Sequence, residues 1–126
     1  MTYTFTVPGK PVPKVRMTQK SKWSPRAKRC LEYQEKVAWH ARAAKIPQLT
    51  GDVELTVKIC RGSRGRGDLD NIVKTIQDGL QHGGVIKNDR QVFRYGTGTG
   101  FWLGWKEEQV IVEIKEVEEV GDEALP

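Results

Sequence analysis

Two aspartates separated by a single leucine, Asp68 and Asp70, follow a glycine-punctuated basic stretch carrying Arg61, Arg64 and Arg66, and they open a segment of helical periodicity. Lys74 comes four residues after Asp70, and Asp78 four after Lys74, so a helix aligns the three charges on one face. Carboxylates set beside arginines suit phosphodiester cleavage. Mg²⁺ takes hard oxygen ligands and keeps several waters, so two or three aspartates plus phosphate oxygens complete its shell. Such an ion polarises a phosphoryl group, activates water and stabilises the leaving alkoxide, while a lysine adds charge at the transition state. The acids alone have a plainer explanation. Aspartate is favoured at a helix start because it accepts bonds from free amides and opposes the dipole. Capping leaves the arginines, Lys74 and Asp78 unaccounted for, and at this point both readings stand.

The elements that must position these residues follow from hydrophobic period. Tyr3, Phe5 and Val7 alternate with threonines, which predicts a half-buried strand ended by Pro8-Gly9. Three prolines and several bases then make residues 8–23 an irregular basic arm containing Trp23. Ser24-Pro25 reads as N-cap and first helical residue of a helix over about 25–45, its spacing carried by Ala27, Cys30, Leu31, Tyr33, Val37, Ala41 and Ala44 and closed by Pro47. Val53, Leu55, Val57 and Ile59 alternate with polar residues as a second strand. Leu69, Ile72, Val73, Ile76 and Leu80 mark the buried face of a second helix, which His82-Gly83-Gly84 ends. Asn88-Asp89 reads as a turn before a strand at 91–95, residues 96–100 as a flexible glycine-threonine connection, and 110–115 as a last strand. This is an α/β (α+β) layering of two main helices on a mixed β-sheet, in a single domain over 1–126, with a flexible acidic tail at 118–126.

Charge is uneven along the 126 residues. Residues 106–126 hold two bases and eight acids, a net of −6, which leaves +11 on residues 1–105 within the total of +5. Before Glu32 there are eight bases and no acid. A segment of that kind attracts polyanions, nucleic-acid backbone above all, although a basic face also serves solubility. Lys10, Lys14 and Arg16 in the arm and Arg61, Arg64 and Arg66 in the loop are the candidate DNA contacts. Apolar runs are far shorter than the ~20 residues of a membrane span. The first residues lack an export pattern, which predicts a cytoplasmic protein. His40 and His82 are isolated, and Cys30 and Cys60 have no metal spacing, so both cysteines are expected to be packed thiols.

Gly67-Asp68-Leu69-Asp70-Asn71-Ile72-Val73-Lys74, then Asp78-Gly79-Leu80, then Val85-Ile86-Lys87-Asn88-Asp89-Arg90-Gln91-Val92 resemble the RusA family of Holliday-junction resolvases. In that family an Arg-x-Asp-x-Asp-Asn block opens a helix and an Asp-Asp-x-Gln-Val block follows it. Val7-Pro8-Gly9-Lys10-Pro11-Val12-Pro13-Lys14-Val15-Arg16 is similar to the opening of phage-type members, and the resemblance spans residues 3–117. It implies a homodimer that binds four-way DNA junctions and resolves them by paired symmetric nicks, with Mg²⁺ as cofactor and Mn²⁺ as a substitute. It also implies that Asp68, Asp70 and Asp89 are the catalytic, metal-holding carboxylates and Lys74 the catalytic lysine. This chain has Asn88 where many members have a second acid, and activity is expected to survive because Asp89 matches the position that matters most.

Residues 96–105 match no family pattern. Their aromatics, with Phe93 and Tyr95, are candidates for the dimer contact. Two other functions remain to be separated: a non-catalytic DNA-binding recombination accessory protein, and a nuclease selective for flaps or forks.

Overall fold

In the computed structural model of the protein, residues 1–16, 18, 23–65 and 67–117 are described. A five-stranded mixed sheet carries two helices on one face. The elements are β1 (Thr2–Pro8), α1 (Pro25–Ala43), β2 (Val53–Cys60), α2 (Leu69–His82), a 3-10 turn (Asp89–Gln91), β3 (Val92–Tyr95), β4 (Gly100–Trp102) and β5 (Gln109–Glu116). The last strand enters the middle of the sheet. β5 is antiparallel to β1 on one side, with Phe5 opposite Val112, and to β2 on the other, with Val57 opposite Val112. The outer edge of β2 is shared by two short parallel strands, β3 along Val53–Leu55 and β4 along Lys58–Cys60. Parallel pairing needs a long crossover, and α2 provides it between β2 and β3.

Strand alternation sets the layers. Phe5 and Val7, Val53, Leu55, Val57 and Ile59, and Val110, Val112 and Ile114 face the helices and form one core with Tyr33, Val37, Ile72, Ile76 and Leu80. The opposite face carries Thr4, Glu54, Lys58 and Glu113, none of them fully buried. Each fully buried Val, Leu or Ile contributes about 1.5–3 kcal/mol relative to exposure, so this shared layer is what holds the helices on the sheet. The helices approach closely at Gly79, where an added Cβ would lie 2.6 Å from Val37 Cβ. Any larger residue there would push α1 and α2 apart.

Local sequence explains the helix ends. The Ser24 hydroxyl accepts from Ala27 N–H at 3.1 Å, and Pro25 occupies the first turn. α1 stops at Ala43, and Lys45 then adopts a left-handed φ of 58°. The helix therefore ends before Pro47 is reached. The 96–99 connection is tied down rather than loose: Gly96 N–H donates to the Leu55 carbonyl, Val57 N–H to Thr99 Oγ1 and Trp102 Nε1 to the Gly98 carbonyl at 2.7 Å. A Cβ on Gly96 would lie 1.9 Å from Thr56 Oγ1, so only glycine lets the chain cross β2 there. β4 is an element that hydrophobic period did not predict. Among the described residues, no helix is long and apolar enough to cross a membrane. The acidic tail at 118–126 lies outside the described residues.

Candidate active site

The two acidic blocks are delivered by the start of α2 and by the turn that follows it. Asp68 holds the N-cap position of α2 with extended backbone, yet its side chain accepts no cap bond. Its carbonyl receives Ile72 N–H, and Asn71 Nδ2 reaches its carboxylate only at 3.5 Å. Asp70 follows in the first turn, and both side chains are exposed. Asp89 is exposed on the 3-10 turn, whose scaffold is made by its neighbours. Asn88 Oδ1 accepts from Arg90 N–H at 2.8 Å. Gln91 Oε1 accepts from Lys87 and Asn88 N–H, while its Nε2 donates to the carbonyls of Leu49 and Gly51. Asn88 thus uses its side-chain oxygen as a cap within the turn.

A cleft of about 500 Å³ is lined by Lys14, Arg16, Asn71, Lys74, Gln77, Asp78, Asp89 and Tyr95. A second cavity of about 340 Å³, more apolar, is lined by Leu69, Asp70, Val73, Lys74, Tyr95, Gly96 and Thr99. Lys74 and Tyr95 belong to both walls, so Asp70 and Asp89 lie on adjoining hollows that meet at these two residues. The Tyr95 hydroxyl donates to Gln77 Oε1 at 2.5 Å. Partial burial and the Asp89 charge push its pKa up, against the Gln77 bond, so the phenol stays protonated at neutral pH.

Among the described residues, no three His, Cys, Asp or Glu side chains converge closely enough to enclose a metal ion. The donor set nonetheless has the chemistry a hard divalent cation needs, because its carboxylates are exposed and Asp68 makes no cap bond. Mg²⁺ is typically held by only one or two carboxylates, with waters and substrate phosphates completing the shell, so a preformed cage is not required.

The predicted DNA contacts divide. Lys10 is exposed and lines a groove with Arg26 and Arg29 between the arm and α1. Lys14 and Arg16 line the acidic cleft itself. Arg64 is exposed, its guanidinium 4.0 Å above the Phe101 ring and its Nη1 donating to the Gly67 carbonyl, which ties the loop to the residue before Asp68. Arg61 is buried at 5% exposure: Nη1 donates to the Arg64 carbonyl, and Nε lies 3.9 Å from Glu108. Its guanidinium shapes the loop from inside rather than facing solvent. Arg66 lies outside the described residues.

Asp78, on the charged face of α2, has no role that its sequence position assigns, and it lines the cleft. Gln77 and Tyr95 also line the cleft. Their signal is weak, because a polar residue on a helix and an aromatic on a short edge strand meet only after the sheet forms. Four predicted interface aromatics are well exposed, Phe93 at 60%, Tyr95 at 51%, Trp102 at 45% and Trp105 at 41%. Phe101 instead packs partly against the core beneath Arg61 and Arg64.

No curated protein matches the chain. The family model described as endodeoxyribonuclease RusA matches residues 8–115, which takes in the basic arm, both acidic blocks and nearly all of β5. With that span matched, the chain belongs to the RusA family of endodeoxyribonucleases.

Proposed function

We propose that this protein is a Mg²⁺-dependent, structure-selective endonuclease that resolves Holliday junctions by paired symmetric nicks. The observation that carries this reading is a helix starting at an aspartate whose carboxylate makes no cap bond, beside a cleft lined by Lys14, Arg16, Lys74 and Asp89. A purely structural Asp68 would spend that carboxylate on the free amides of α2. Asp68, Asp70 and Asp89 would supply the carboxylates for the ion, with waters and phosphate oxygens completing its shell, and Mn²⁺ offers the same oxygen preference. When bound, the ion supplies Lewis-acid stabilisation of charge on the phosphoryl oxygens. Lys74, between the two hollows, neutralises charge developing on the transferred phosphoryl group. Lys10, Arg16 and Arg64 hold the flanking DNA backbone through phosphate contacts that carry no sequence information.

A second site is needed for a second cut, and each chain brings one. The proposed assembly is a two-fold homodimer, with Phe93, Trp102 and Trp105 as exposed aromatics of the kind that anchor interfaces. Sedimentation equilibrium of the free protein at micromolar concentration should give twice the 14.3 kDa chain mass, and a monomer would remove the preformed dimer.

The deciding experiment is a cleavage assay on synthetic four-way, three-way, flap and linear DNA, with and without Mg²⁺. Symmetric nicks in the four-way junction, dependent on the metal, are expected. Preferential cutting of flaps or forks would move the substrate assignment, and binding without cutting in any metal would leave a DNA-binding accessory protein.

A further inference from the structure

Lys14 is anchored through both its backbone and its side chain. Its backbone N–H donates to the Asn71 carbonyl at 2.9 Å, which fixes the arm across the first turns of α2. Its ammonium lies 2.8 Å from Asp78 Oδ2, and the Asp78 side chain is only 20% exposed. Gln34 Nε2, from α1, reaches the same carboxylate oxygen at 3.4 Å. Asp78 is thereby held from one side by α1 and turned on the other toward the arm. Lys14, Lys74, Asp78 and Asp89 all line one cleft. The hydrogen bond to Asp78 raises the Lys14 pKa against the opposing effect of burial, with the Asp78 and Asp89 charges adding to the rise.

We propose that Asp78 is a positioning residue that aims Lys14 at the phosphate bound beside Asp89, making Lys14 a second cation of the reaction centre alongside Lys74. This rests on the nuclease reading above. Stability does not account for the pair, because an ion pair with a lysine 44% exposed contributes little to folding. Positioning does. Lysine is a point charge on a flexible stem, and an ammonium has three donors, so Asp78 occupies one and leaves two for phosphate oxygens. A charge held in place before substrate arrives costs no reorganisation as negative charge spreads over the phosphoryl oxygens. The spacing supports this division of labour: α2 presents Lys74 directly and, one turn later, presents Lys14 through Asp78. If Asp78 merely neutralised Lys14, it would oppose both DNA binding and cutting.

Single-turnover cutting of a saturating four-way junction in Mg²⁺ should be compared for wild type, Lys14→Ala, Asp78→Asn and the double variant, with junction affinity measured in Ca²⁺. Both single variants are expected to slow cutting by about tenfold or more while changing affinity far less. The double variant should be no slower than Lys14→Ala alone, because Asp78 acts through Lys14. Lys14→Arg should recover part of the rate. A Lys14→Ala protein that loses affinity but cuts at wild-type rate when saturated would overturn the proposal, as would independent, multiplicative losses or faster cutting by Asp78→Asn. Hydrogen exchange of residues 10–16 in the free protein provides a readout independent of activity. Asp78→Asn is expected to speed it, and unchanged exchange would overturn the clamp. Wild type that cuts no DNA while this exchange result holds would instead remove the nuclease reading.

Discussion

The two segments that carry the acidic blocks are built in opposite ways. At 88–91 the backbone is heavily tied: Asn88 caps the turn, and the Gln91 amide makes bonds to Lys87, Asn88, Leu49 and Gly51. At the start of α2 the cap position belongs to Asp68, whose carboxylate makes no such bond, with Asn71 at 3.5 Å and Arg64 bonded one residue upstream to Gly67. In both places the structural hydrogen bonds are made by neutral amides, a guanidinium or the backbone. The carboxylates of Asp68 and Asp89 are thus left with acceptors to offer a cation or a substrate. The departure at Asn88 fits this pattern, because capping needs an oxygen and no charge.

If both blocks serve one reaction, the largest effects come from their acids. Asp70→Asn and Asp89→Asn should each reduce nicking by about a thousandfold or more, with junction affinity unchanged or tighter as phosphate repulsion falls. Gel-based cleavage and binding assays check this, and wild-type cutting by both variants would discard the proposed site. The contrast in bonding predicts a contrast in stability next. Gln91→Ala removes four bonds worth about 0.5–1.5 kcal/mol each, and a loss of about 2–4 kcal/mol is expected in urea unfolding. Asp68→Ala removes no cap bond and should cost about 0.5 kcal/mol or less, against about 1 kcal/mol for an aspartate that does cap. Equal losses would erase the distinction between the two segments.

The arginines ahead of the first block sharpen it further. Arg64→Ala should lower the slope of log affinity against log salt by about one, as one phosphate contact is lost. Arg61→Ala should leave that slope unchanged and lower the melting temperature, because its buried guanidinium supports the loop. The smallest effect lies outside both blocks. Burial, with Lys36 nearby, lowers the His40 pKa, so the unfolded chain binds this proton more readily than the folded one. Stability from this residue is present above the ordinary value near 6.5 and is lost as pH falls below it. Replacing His40 with Gln should flatten the decline in melting temperature between pH 7.5 and 5.5.

Local pattern carried the elements on its own. Period-two alternation placed β1, β2 and β5, helical spacing placed α1 and α2, and Ser24-Pro25 marked a cap that forms as expected. The acidic blocks, Lys74 and the family were legible too, because they are contiguous in the chain. Tertiary structure decided what lies beside them. β4 was missed because three residues in a glycine-rich stretch have no period of their own, and they become a strand only by pairing with the edge of β2. Arg61 looks like any other arginine of a basic loop until β4 brings the Phe101 ring beneath its guanidinium and the Trp102 carbonyl to its backbone N–H. Lys14 and Asp78, 64 positions apart, meet only because the arm bonds to α2 at Asn71. A residue's local pattern records which side faces the core, since burial repeats with the period of its own element. It does not record which distant segment will cover the other side, because that is set by long-range pairing.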